Sequence, residues 1–238
     1  VRLAVLALAA LALTGCETTA ENSAKLERAA KHVSLTQQKG LSIERASTAV
    51  KVVATTVVRG SEGAAAVVTL RNGSARALSN LPIAIDVKDA RGASVYANNV
   101  PGLSRTLVSV GSIPAGATLT WVDDQIQPTG VPASVSAEVG EGTRVSGAPP
   151  RLDIEEAGLH DDPTSGLGAE GTVVNHSRVT QQELVVYAVA RRSGKIVAAG
   201  RAVLASLPAG ASTPFQIFFV GDARGAQLQV SAPPTTPG

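Results

Sequence analysis

Two widely separated stretches of this chain spell the same plan, and that duplication limits the fold more than any other feature. Leu70-Arg71-Asn72-Gly73-Ser74 matches Val173-Val174-Asn175-His176-Ser177, and Ser112-Ile113-Pro114-Ala115-Gly116-Ala117 matches Ser206-Leu207-Pro208-Ala209-Gly210-Ala211. Self-similarity of this kind means that one supersecondary unit has been used twice. Asn fits the end of a strand because its side chain can bond its own backbone and it tolerates positive φ. Pro presets φ for the first central position of a type I turn, and Gly suits the last position.

Between these landmarks the pattern has a period of two. Leu81, Ile83, Ile85 and Val87 fall on one face of an extended segment, while Asp86 and Lys88 fall on the other. That is the signature of a half-buried strand. Ala90-Arg91-Gly92 turns the chain, and Ser94-Val95-Tyr96 starts the return. In the second half Val185, Tyr187 and Val189 take the places of Ile83, Ile85 and Val87, with a turn at Ser193-Gly194 and a return at Ile196-Val197. Another strand follows each Pro-Ala-Gly turn, through Trp121 in one half and Phe215 in the other, and their equivalence marks both aromatics as core.

Short strands, short turns and no strong helical period predict an all-β protein of two tandem immunoglobulin-like antiparallel β-sandwiches. The expected boundaries are 46–147 for the first sandwich, 150–232 for the second and a disordered Pro-rich tail over 233–238. The chain has one cysteine and few aromatics. Each core must then be assembled from many small contributions of Val, Ile, Leu and Ala, without disulfides.

The repeat resembles the FxLYD-type and related immunoglobulin-like domains of bacterial envelope proteins. Their pattern runs from an Asn near a strand end, through an aromatic-rich strand and an Asp before a Gly turn, to a Pro-Gly turn and another strand. The second half keeps an aromatic at Tyr187 but has Ala190 and Arg191 where Tyr and Asp would stand. The first half keeps Asp89 but has Ile85 and Lys88 at the aromatic places. The resemblance implies adhesion or interaction modules, and a fold by itself implies no activity.

The N-terminus reads as an export signal. Arg2 is the only charge before the apolar run from Leu3 to Leu13. A helix needs about 20 apolar residues to cross a bilayer, so this run is too short for a permanent span and suits the h-region of a signal peptide. Val1 in a chain without Met suggests a valine-reading start codon. The run ends in Leu13-Thr14-Gly15-Cys16, which resembles the bacterial lipobox. That resemblance implies a thioether-linked diacylglycerol on Cys16, cleavage before it and acylation of the new amine. A lone thiol in an exported chain is otherwise anomalous. Two or three acyl chains hold a protein firmly where one does not, so the membrane is an expected partner. Glu17 stands where the family's inner-membrane retention signal would have Asp, which implies an outer membrane where the cell has one.

The expected organisation is therefore a lipoprotein signal peptide over 1–15 and a lipidated, flexible tether over 16–45, whose part after Leu35 either stays free or docks on the first domain. Within the tether, Ser23 caps a short helix predicted over 24–31. Removing Arg2 with the leader leaves 20 of the 21 Lys and Arg against 19 Asp and Glu, with both signs interspersed. No basic stripe of a nucleic-acid binder is present.

Residues for chemistry are few. The histidines are His32, His160 and His176, without a nucleophile elbow, a Gly-rich phosphate loop, Cys-x-x-Cys or His-Glu-x-x-His. The acidic stretch Asp153-Ile154-Glu155-Glu156 with Asp161-Asp162 lies where the sandwiches should meet. Asp153, Glu155, Asp161 and Asp162 are candidate oxygen ligands for a hard cation such as calcium. A solvated strand edge accounts for them equally well, and no cofactor is expected. Arg191-Arg192-Ser193-Gly194-Lys195 forms a basic hairpin tip, suited to anionic lipid or polymer or simply to solubility. The leading expectation is a non-catalytic envelope lipoprotein that binds a protein or envelope polymer, or spaces one. An accessory hydrolase or chaperone-like factor using His160 or His176 is the alternative.

Overall fold

Alternating Val, Ile and Leu between Gly- and Pro-marked turns leaves little choice but strands, and strands account for the architecture. The structure, a computed structural model, describes residues 40–61, 63–162 and 166–235. The first half contains β1 (Val50–Arg59), β2 (Ala64–Asn72), β3 (Leu78–Lys88), β4 (Ser94–Ala97), β5 (Ser109–Ile113), β6 (Thr118–Ile126), β7 (Ser134–Val139) and β8 (Thr143–Arg144). Its only helical turn among the described residues is a 3-10 turn at Arg105–Val108. The second half contains β9 (Leu152–Asp162), β10 (Gly166–Asn175), β11 (Gln181–Arg192), β12 (Lys195–Leu207), β13 (Ser212–Phe218), β14 (Val220–Gly221) and β15 (Gln227–Ser231).

Each half is an antiparallel β-sandwich. In the first, β1-β2-β6 faces a sheet organised around β3, with β4 and β5 along one edge of that strand and β7 and β8 along the other. In the second, β13-β10-β9 faces β14-β12-β11-β15. Strand pairing among the described residues stays within 46–144 or within 152–231.

The duplicated Asn residues are the corner posts. Asn72 is fully buried, and its Nδ2 donates to the carbonyls of Arg76, Ile113 and Pro114, while its Oδ1 accepts from the Ser74 amide and hydroxyl. Asn175 makes the same set with Val179, Leu207, Pro208 and Ser177. In both halves the Asn amide donates in turn to the last Ala of the Pro-Ala-Gly-Ala turn, at Ala117 and Ala211. Buried polar groups persist when every donor and acceptor is used, and here one amide ties the end of a strand to a distant turn.

One equivalence expected from the repeat shifts by a residue. Asn80 and Glu183 both adopt positive φ, 53° and 47°, near the start of β3 and β11. Counted from there, Leu184, Val186 and Ala188 correspond to Leu81, Ile83 and Ile85, and they line the second half's own core. Val185, Tyr187 and Val189 point the other way, into the core of the first half together with Ala199 of β12. A one-residue slip exchanges the faces of a strand, and in β11 both faces are apolar. The β14-β12-β11-β15 sheet is thus covered on both sides, and the described residues form one compact unit.

Both ends of the described chain pack on the folded body. At the end of the expected tether, residues 40–45 lie along the first half. The Glu141 amide donates to Arg45 O at 3.1 Å, and Ala46 forms a bridge with Gly140. At the other end, Pro233–Thr235, expected to be disordered, are held in place, with Pro233 buried and Thr235 bonded to Gln181.

Candidate functional site at the seam

The face that β11 and β12 turn towards the first half carries a buried charge among its apolar residues, Arg201, the cross-strand neighbour of Tyr187. Its partners come from β6, where Asp123 and Asp124 follow Trp121 and Val122. Arg201 Nη2 lies 2.8 Å from Asp123 Oδ1, and Nε lies 3.3 Å from Asp124 Oδ1 without aiming its N–H at that oxygen. Nη1 donates to the carbonyls of Leu107 and Val122 at 3.0 and 3.1 Å, and the Arg201 amide donates to Asp124 Oδ2 at 2.8 Å. The Tyr96 hydroxyl completes the group by donating to Asp123 Oδ2 at 3.2 Å.

The electrostatics follow from burial. Desolvation pushes the Asp124 carboxyl above the ordinary carboxylate value despite the attraction of Arg201. The Tyr96 phenol is raised by burial and then by the neighbouring Asp123 charge, and Tyr187 is raised mainly by burial. The guanidinium spends its terminal N–H groups on protein acceptors, as a buried fork between two carboxylates must. This cluster is a lock between the halves. The Arg201 Nε–H that lacks a partner is buried within it.

A second group of contacts lies along the seam beside it. Thr106 Oγ1 donates to Glu183 Oε2 at 2.7 Å. Gln181, fully buried, accepts at Oε1 from the amide and hydroxyl of Thr235 at 2.7 and 3.1 Å. Next to these bonds lies a cleft of about 260 Å³, with Asn80, Arg105 and Ser109 from the first half and Gln182, Glu183 and Tyr187 from the second among its walls.

The residues singled out by sequence lie elsewhere. Leu13, Thr14, Gly15, Cys16 and His32, with the helix predicted over 24–31, fall outside the described residues. The acidic stretch is strand β9, an edge strand paired only with β10. Asp153 and Asp161 are eight residues apart, about 26 Å at about 3.3 Å per residue, so the calcium reading gives way to that of a charged edge strand. No group of three or more His, Cys, Asp or Glu suited to a metal occurs among the described residues. Charges along an edge strand discourage pairing with other chains.

Asp153 is engaged by Arg151 at 2.7 Å and by His176 Nε2 at 3.2 Å, and the Arg151 hydrogen bond holds its carboxyl below the usual range. His160 Nδ1 lies 3.5 Å from Glu170 Oε1, and both side chains are exposed. Neither histidine lines the seam cleft or the clefts at residues 42–45 and 48–53. The basic hairpin turns through Ser193 and Gly194, both at positive φ, as a two-residue hairpin turn of this hand requires. Arg192 is drawn back from its tip to the carbonyls of Asp222 and Arg224.

Sequence reading missed Arg201, Asp123, Asp124 and Gln181. The available signal was charge inside otherwise apolar strands, which becomes legible only when the partner strand is known. The chain matches no family model and no curated protein.

Proposed function

We propose that this chain is a lipid-anchored protein of the bacterial cell envelope whose double sandwich is a binding or spacing module without catalytic activity. The observation that carries the reading is the position of the only cysteine, Cys16, directly after Leu13-Thr14-Gly15 and the apolar run behind Arg2. Acylation there, through a thioether and the new amine, would hold the chain at a membrane with two or three chains. Glu17 favours the outer membrane where the cell has one.

The folded body supports the second part of the reading. Two sandwiches joined across a buried ion pair make a stiff element, suited to presenting loops or a seam at a distance from a bilayer. The charged edge of β9 keeps such a body from pairing with its neighbours at high surface density. The described histidines face exposed carboxylates on open strands, which favours recognition over hydrolysis.

The test is metabolic labelling with a fatty-acid analogue, comparing the natural chain with Cys16→Ser. Label in the natural chain, none in the variant, and a shift of the variant to the aqueous phase of a detergent extraction are the expected results. An unlabelled natural chain that retains residues 1–15 would overturn the reading.

A further inference from the structure

We infer that the groove beside the seam cleft is a recognition site for an extended peptide in which prolines are followed by Thr or Ser, occupied in this chain by its own residues 233–235. The inference rests on the reading of the body as a binding module and names the class of ligand that the module takes.

The occupant itself shows the chemistry. Pro233 is buried, and the backbone of Pro233 and Pro234 runs close against β5. A Cβ at Gly111 would stand 2.9 Å from Pro234 O and 3.1 Å from Pro233 O, so only glycine leaves room for the segment there. On the opposite wall Gln181 is fully buried, and its Oε1 takes both the Thr235 amide and the Thr235 hydroxyl, while its Nε2 is spent on Val179 O. That acceptor reads a backbone N–H and a hydroxyl from the same residue, which selects Thr or Ser after the prolines. The Gln182 amide adds a longer contact to Thr235 Oγ1 at 3.4 Å.

Two features separate a groove from simple packing. Its walls come from different halves, β5 and the 3-10 turn on one side and β11 on the other, so the locked seam fixes its width. The strap also leaves space beside it, about 260 Å³ bordered by Asn80, Arg105, Thr106 and Glu183. This is room for side chains that Pro-Pro-Thr does not supply. A segment with a pre-extended, hydrogen-bond-poor backbone loses little entropy on docking, which is why proline-rich ligands suit preformed grooves. Being covalently attached, the strap competes at an effective concentration of about millimolar. A partner peptide must therefore displace it.

The test uses the detergent-solubilised full chain, a variant ending at Ser231, and a fluorescent peptide Ala-Pro-Pro-Thr-Thr-Pro-Gly followed by anisotropy. The shortened chain is expected to bind the peptide saturably at one site, at least tenfold more tightly than the natural chain. Adding Gln181→Leu to the shortened chain should weaken binding at least tenfold with an unchanged circular dichroism spectrum. A folded shortened chain that shows no saturation, or natural and shortened chains that bind equally, overturns the inference. So does formation of a dimer in which one copy's tail fills the other's groove in preference to the free peptide. Should the shortened chain fail to fold, full-length Thr235→Ala, which loosens the strap, should bind the peptide more tightly than the natural chain, and equal affinity overturns the inference. Fatty-acid labelling at Cys16 is independent of the groove, so a labelled chain that does not bind removes this inference alone.

Discussion

Arg201 of β12 and Asp123 of β6 meet at 2.8 Å with their side chains only 5% and 4% exposed, which places the tie between the two sandwiches in a nearly dry setting. A buried ion pair adds little net stability over a well-packed apolar replacement, but removing one partner leaves an uncompensated charge. The pair therefore acts chiefly on geometry. Only one mutual orientation of the halves brings the guanidinium between Asp123 and Asp124 and also onto the carbonyls of Leu107 and Val122.

Arg201→Met should cost about 3–5 kcal/mol, because it strands two buried carboxylates. Tyr96→Phe removes one hydrogen bond to Asp123 and should cost about 1 kcal/mol. Chemical denaturation measures both. An Arg201→Met chain as stable as the natural one would mean that the lock is ornamental.

Asp124 gives the lock a pH dependence of defined sign. Burial raises its folded pKa above the ordinary value of 3.8, so protonation favours the folded state. Its favourable contribution is complete below the unfolded pKa and is lost as pH rises through the folded pKa. The melting temperature of the natural chain, measured against Asp124→Asn, should therefore be relatively highest near pH 3.5 and fall towards pH 7. A constant difference, or one that grows with pH, contradicts the assignment.

The two faces of β11 can be separated experimentally. Val186 packs in the second half's own core and Val189 in the core of the first half. Val186→Asp should unfold the second sandwich, since it buries an unpaired charge. Val189→Asp should instead part the halves while both stay folded, seen as a larger radius of gyration in small-angle scattering with unchanged circular dichroism. Equal loss of circular dichroism in both variants would argue against two separable cores.

That strand also marks the limit of what sequence could tell. The alternation at Leu81, Ile83, Ile85 and Val87 was decisive because Asp86 and Lys88 interrupt it, and β3 is where expected. From Leu184 to Ala190 every residue is buried, so no polar residue marks the outer face and the period of two loses its phase. The positive-φ site that restores the phase, Asn80 in one half and Glu183 in the other, differs in residue type and cannot be matched by eye. Similarly, a Pro-rich tail announces that it joins no sheet. Whether it docks depends on Gln181, whose buried Oε1 takes Thr235 across 54 positions of chain, a pairing that no local pattern announces. The acidic residues of β9 looked like a cluster in one dimension and are strung out along an edge in three.

The Asn corners supply the sharpest test of the duplication. Asn72 and Asn175 each bridge three carbonyls and receive a Ser amide and hydroxyl, with matching partners in the two halves. Replacing either by Ala leaves buried carbonyls without a donor, at about 1–3 kcal/mol for an unsatisfied group, and several groups are affected at once. Asn72→Ala and Asn175→Ala should each lower stability by about 2–4 kcal/mol. Asp in place of Asn keeps the acceptor for Ser74 or Ser177 but loses the donor to all three carbonyls and adds a buried charge, so it should be at least as damaging as Ala. Differential scanning calorimetry of the four variants checks this. Tolerance of Asp at either corner would mean that the side-chain amide does not hold strand end and turn together.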